Sequence, residues 1–190
     1  MVKKKTCIFI SGNGSNLNAL ISNSRQYNFP LKINLIVTNK KDAGGIELAK
    51  KYTIPFIVIN TKESLFETKL LNSIKEKQIS TICLAGYMKI LSKKFINNFK
   101  GNIINIHPSL LPKYKGVNIF KRVLKNNEKI SGCTVHHVNS KLDSGKIILK
   151  KRLLVSKNET ELSLKKKTQK VEHRAFSEAI IRLFMMRVSF

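Results

Sequence analysis

Ile103-Ile104-Asn105-Ile106-His107-Pro108-Ser109-Leu110-Leu111-Pro112 is the stretch on which the reading of this chain turns. The apolar pair at its start reads as the end of a buried strand. Strand side chains alternate faces, so Asn105 and His107 point the same way at the strand's C-terminal edge. In open α/β sheets that edge is where ligands gather. An amide able to hydrogen-bond a carbonyl oxygen then lies beside the one side chain that titrates naturally near neutrality. Pro108 and Pro112 stop the strand and stiffen the loop after it. The pair points to acyl transfer with proton management.

To either side of this stretch, short β-rich runs alternate with amphipathic ones. Strands are expected over 5–11, 32–38, 55–59, 81–85, 101–106, 132–138 and 146–155, and helices over 16–24, 43–51, 64–77, 92–98 and 118–127. Residues 159–183 read as one long basic helix or a pair. In the 64–77 segment Leu65, Phe66, Leu70, Leu71 and Ile74 recur at helical spacing and form an inward stripe. The loop at 139–145 is rich in turn residues. This succession predicts an α/β fold, Rossmann-like, with three αβα layers and a mostly parallel central sheet. A chain of 190 residues is expected to form a single domain over 1–190, without repeats or linkers.

Composition excludes several classes. No apolar run approaches the ~20 residues that span a bilayer, so no membrane partner is expected. Cys7, Cys83 and Cys133 are an odd number of scattered residues in apolar stretches, which reads as reduced thiols and a cytoplasmic location. The net charge is +25, but 30 of the 36 basic residues are lysine and aromatics are only 7%. Nucleic-acid readers lean on arginine forks and interleaved aromatics, so no specific nucleic acid is expected. A solvated lysine surface is the plainer reading, and the charge suits an anionic substrate. The four histidines show no metal-ligand spacing, and no metal is expected.

Two further loops carry polar chemistry. Gly12-Asn13-Gly14-Ser15-Asn16-Leu17 joins the first strand to the first helix, where glycines present backbone N–H groups and a helix N-terminus favours an anion. A dinucleotide site would want glycine at Leu17 and an acidic residue after strand two, where Thr38-Asn39-Lys40 stands instead. The loop suits a phosphate monoester; equally, it reads as an ordinary turn with Ser15 or Asn16 capping the helix. Asp42 and Asp143 are the only aspartates. A carboxylate at Asp143 within reach of His107 would orient the ring and favour its protonated form. The alternative is a turn aspartate bonding its own backbone. His136 and His137 occupy opposite strand faces, so at most one faces a site; His136 is the candidate, with a structural role the more ordinary reading. His173 reads as surface helix.

In order and spacing, the glycine loop, the Asn105–Pro112 run and the Leu142-Asp143 turn resemble the phosphoribosylglycinamide formyltransferase family of purine synthesis, over roughly residues 5–182. The Asn-x-His and Ser-Leu-Leu-Pro elements are similar to the wider folate-dependent formyltransferase superfamily, whereas Gly12–Leu17 is similar to the glycinamide ribonucleotide branch. The resemblance implies the formyltransferase fold and a one-carbon transferase that moves the formyl group of 10-formyltetrahydrofolate to the amine of glycinamide ribonucleotide. It implies that Gly12, Asn13, Gly14, Ser15 and Asn16 hold the phosphate. Met88, Lys89, Ile90 and Leu91, with Asn139, Ser140, Lys141, Leu142 and Asp143, would flank the folate, and Asn105 would hydrogen-bond the formyl oxygen. His107 would manage the proton and stabilise the oxyanion, with Asp143 as its partner. Gln169, Lys170, Val171 and Glu172 would lie at the glycinamide. Lys62, or Glu63 if the alignment moves by one residue, takes the place of a family arginine at the folate. Ser144 stands where a glycine usually follows the aspartate, and Leu111-Pro112 matches an expected cis peptide. Only small-molecule partners are implied, for a monomer or a homodimer. Related transfer-RNA formylases and deformylases carry extra domains for which 190 residues are expected to leave no room.

Overall fold

The structure, a computed structural model, describes residues 2–63 and 65–185. Along these residues the elements run β1 (Lys4–Ile10), α1 (Ser15–Ser24), β2 (Leu31–Thr38), α2 (Gly45–Lys51), β3 (Phe56–Val58), α3 (Phe66–Glu76) and β4 (Thr81–Leu84). They continue with α4 (Lys93–Asn98), β5 (Asn102–His107), α5 (Ile119–Lys125), β6 (Ile130–His137), β7 (Ile147–Leu154) and α6 (Glu161–Phe184). The fold is α/β, with a mostly parallel sheet and flanking helices, as the alternation of elements predicts. Two compact units divide at Ile104/Asn105, and β5 begins in the first and ends in the second.

In the first unit β1 pairs in parallel with both β2 and β4, and β2 pairs in parallel with β3. The order β3-β2-β1-β4 makes β1 an inner strand. Its last five residues are all buried, whichever face they point to. A parallel strand covered on both sides needs a continuous apolar run such as Cys7–Ile10 rather than alternation. Helix α1 buries Leu17, Leu20 and Ile21, and α3 buries Leu70 and Ile74, one stripe each. The expected start of α3 at Ser64 lies outside the described residues.

In the second unit β6 and β7 pair antiparallel, the departure from the parallel pattern. The nine-residue connection at 138–146 is too short for the crossover that parallel strands require, roughly a dozen residues or more. Residues 161–184 form one unbroken helix, not a pair. No proline or glycine interrupts this run, and Thr160 and Ser163 form a reciprocal capping box at its start. Leu164, Thr168, Glu172, Ala175, Phe176, Ala179 and Ile180 give α6 a buried face at helical spacing. Ile119, Val123 and Leu164 form a small core with Tyr114, Phe120, Leu124, Leu153 and Val155 packed around it.

Candidate active site

The first unit carries the loop between β1 and α1. Gly14 is the residue before α1, with φ of 76°, and no side chain caps the helix there. Ser15 and Asn16 belong to the first turn of α1 and do not sit at the cap position, so the capping reading of the sequence is not what the loop does. Gly14 packs flat on a second glycine pair: a Cβ on Gly14 would lie 2.9 Å from the Gly45 Cα, and one on Gly45 would lie 2.3 Å from Ile10 Cδ1. The Gly45 N–H donates to the Gly12 carbonyl at 3.2 Å. Gly12 and Asn13 are exposed, and a Cβ on Gly12 would meet nothing within 4 Å. The outer side of the loop is open backbone at an uncapped helix start, the arrangement that binds anions.

Ser11, buried at the end of β1, ties this loop to two others. Its hydroxyl donates to Asn39 Oδ1 at 2.5 Å and accepts the Met88 N–H at 2.9 Å, while its own N–H donates to the Gly86 carbonyl at 3.2 Å. Of the segment with an expected folate role, Met88, Lys89 and Ile90 are exposed and Leu91 is buried. Lys62 is exposed, with its N–H donating to Asn60 Oδ1, and Glu63 is paired with Lys69 at 3.4 Å.

The second unit brings Asn105, His107 and Asp143 together. His107 Nδ1 lies 3.4 Å from Asp143 Oδ2, and both side chains are under one-tenth exposed. His107 Nε2 lies 2.9 Å from the Tyr114 carbonyl, which can only accept. The ring is thus held between a carbonyl and a carboxylate, with both partners suited to an imidazolium. Asp143 Oδ2 accepts the Gly116 N–H at 2.9 Å, a bond to a distant loop rather than to its own turn. Asp143 itself takes the left-handed conformation, φ 46°, and Ser144 is not among the residues of positive φ. The turn therefore does not need a glycine at 144. Ser144 instead accepts from the Lys115 ammonium at 2.5 Å.

A proline-bounded loop holds these groups in place. Ser109 donates to the Lys113 carbonyl at 2.6 Å, and Leu111-Pro112 is cis, as expected. Thr134 of β6 donates to the Ser109 carbonyl at 2.7 Å and accepts the Leu111 N–H at 3.0 Å. The Tyr114 hydroxyl donates to Glu128, and the Arg122 guanidinium lies 5.2 Å over the Tyr114 ring. Around Asp143, Asn139, Ser140, Lys141 and Leu142 are exposed, and Val117 adds a second exposed apolar side chain.

His136 is the member that sequence reasoning undervalued. It is 2% exposed, its Nε2 lies 3.2 Å from Asn105 Nδ2 and 3.7 Å from Asp143 Oδ1, and its Nδ1 lies 2.8 Å from the His137 carbonyl. Burial, the largest influence, pushes its pKa down, although the backbone bond and Asp143 oppose the shift. Its presence on the face opposite His137 was the available signal; the contact with Asn105 is tertiary and left no trace in spacing. The same holds for Ser11, Thr134 and the Gly44-Gly45 pair.

The segment at 169–172 is divided by the helix it sits on. Lys170 is exposed, Gln169 and Val171 are half-buried, and Glu172 is buried at 7% exposure. Burial and then the charge of Glu172 push the Cys133 thiol on β6 up to about 12. Cys7, Cys83 and Cys133 are all buried free thiols. His173 is half-buried rather than on the surface, with Nε2 shielded.

Comparison with known proteins gives the family. A family model described as formyl transferase matches residues 4–180, and the chain belongs to that family. It is 32% identical to the phosphoribosylglycinamide formyltransferase of Bacillus subtilis over 95% of this chain and 94% of the relative. It is 40% identical over 184 residues to the trifunctional purine biosynthetic protein adenosine-3 of Chironomus tentans. The match covers 94% of this chain, which spans only 13% of that longer relative. The crystal structure of phosphoribosylglycinamide formyltransferase from Bacillus halodurans superposes with a TM-score of 0.89 at 32% identity, covering 96% of each chain. No described helix is long and apolar enough to cross a membrane.

Proposed function

We propose that this chain transfers the formyl group of 10-formyltetrahydrofolate to the primary amine of glycinamide ribonucleotide, a step of purine biosynthesis in the cytoplasm. The observation that carries the reading is the buried His107–Asp143 pair, 3.4 Å apart, at the strand end that also bears Asn105. In this mechanism the amine attacks the formyl carbon. An Asn105 N–H donates to the developing oxyanion, and the imidazolium of His107 places positive charge beside it. Fixed donors and charge aimed at a developing oxyanion usually supply the largest part of such catalysis. Asp143 holds the His107 ring, and the proton leaving the amine passes through water at the carboxylate to the departing folate nitrogen. The C–N bond to folate breaks as the new amide forms, and tetrahydrofolate leaves.

The substrate assignment draws on the 12–16 loop and on the names of the relatives. An uncapped α1 and an open Gly12 suit a phosphate monoester. Exposed Leu142 and Val117 of the second unit suit the flat apolar surface of a pterin. We assign Gln169–Glu172 to the glycinamide and Lys62 to the folate on the family pattern. The test mixes protein, 10-formyltetrahydrofolate and glycinamide ribonucleotide and follows tetrahydrofolate release with and without the nucleotide. Release that requires the nucleotide is expected; release at the same rate without it would mean hydrolysis and overturn the assignment.

A further inference from the structure

Asn105 is useful to an oxyanion only if its amide presents nitrogen, not oxygen, to the reacting carbonyl. An amide can flip between those two orientations, and what surrounds it decides which is stable. The surroundings here are fixed by a chain of three groups. The His137 carbonyl can only accept, so the His136 Nδ1 at 2.8 Å carries a hydrogen. A neutral ring protonated at Nδ1 has a lone pair at Nε2. That lone pair needs a donor, and the Asn105 amide nitrogen lies 3.2 Å away. One N–H of Asn105 is thereby committed to His136, and the second is directed away from it.

We propose that His136 is a positioning residue for formyl transfer: it locks the Asn105 amide with nitrogen inward, so that the remaining N–H is the one offered to the formyl oxygen. The assignment rests on the proposed reaction and goes beyond it by giving a fourth residue a role that acts entirely through another. A proton on His136 Nε2 undoes the lock. The protonated nitrogen could only donate, either to Asp143 Oδ1 at 3.7 Å or to a flipped Asn105 oxygen. A flipped amide would turn a lone pair toward the formyl oxygen. Burial of the ring sets this titration first, followed by the bond to the His137 carbonyl and the charge of Asp143, with the rings of His107 and His137 as chargeable neighbours.

Three measurements test the role. Ring nitrogen-15 NMR of the native protein at neutral pH should show His136 protonated at Nδ1 and bare at Nε2; the opposite tautomer would overturn the proposal without reference to turnover. In kinetics, His136→Leu should lower kcat by roughly 100-fold or more, the scale for losing one oxyanion donor, with nucleotide Kd unchanged. His136→Gln keeps an acceptor near the same place and should recover most of that loss, and it should lack the fall in kcat that a proton on His136 Nε2 is expected to cause in the native chain at acid pH. The decisive comparison is the cycle with Asn105→Ala. His136→Leu should cost nothing further in that background. A multiplied loss would assign His136 some other function and overturn the proposal. Failure of the native chain to transfer formyl at all would instead overturn the reaction on which it rests, while the NMR result would still judge the amide lock.

Discussion

The two polar regions of this chain are built in opposite ways. The loop at 11–16 is made of backbone: left-handed Gly14, an uncapped helix start and open space at Gly12. The end of β5 is made of interlocked side chains, with buried His107, Asp143 and His136 and half-buried Asn105 joined by contacts of 3.2–3.7 Å. A phosphate carries its charge with it and needs only donors in an open cradle. A formyl group becomes charged only during reaction, so its donors must be held in place beforehand, where buried neighbours can hold them. The contrast predicts that single substitutions at the strand end affect the rate and those in the loop affect binding or folding.

The largest effect should come from His107→Ala, which is expected to lower kcat on the order of 10³-fold while leaving nucleotide Kd nearly unchanged. Parallel losses in kcat and nucleotide affinity would erase the distinction between the two regions. Asp143→Asn should cost on the order of 10²-fold in kcat, because a neutral amide holds the His107 ring without the charge of the carboxylate. A variant that keeps the native kcat would remove Asp143 from this role.

In the loop, two glycines sharpen the comparison. Gly14→Ala places a side chain in the left-handed region and 2.9 Å from the Gly45 Cα. It should lower unfolding free energy by about 1–2 kcal/mol, read by urea denaturation. Gly12→Ala meets no atom and should leave stability within about 0.5 kcal/mol. By filling the open side of the loop it should raise nucleotide KM roughly tenfold with kcat intact. The smallest effect concerns His136. Burial lowers its folded pKa, so the unfolded chain takes up the proton first as pH falls. Its contribution is complete above the ordinary histidine value of about 6.5 and is lost as pH drops below it. Stability measured from pH 7 to pH 5 should therefore decline less steeply for His136→Gln than for the native chain.

Much of the strand-end site was legible because its signals are local. Asn105 and His107 share a parity, Pro108 marks the strand's end, and Asp143 stands out as one of two aspartates. The glycine loop was legible for the same reason, and the alternation of elements was enough for the α/β class. What was not legible is tertiary. Nothing in the spacing of Gly44-Gly45 announces that Gly14 packs on it, or that Ser11 and Thr134 each pin a loop through one hydroxyl. His136 was obscured by its neighbour, since a His-His pair on a strand does not declare which ring faces polar company. Helix ends moved by one or two residues, as at α2, which begins at Gly45 after a turn that reads as helix in sequence.

The most direct test of formyl transfer at the β5 strand end follows the one-carbon unit itself. With 10-formyltetrahydrofolate carrying carbon-13 in the formyl group, NMR should show the label passing to the amine of glycinamide ribonucleotide in native protein. Transfer should be nearly absent in His107→Ala at saturating substrates. Label released as formate whether or not nucleotide is present, or unchanged transfer in His107→Ala, would contradict the account.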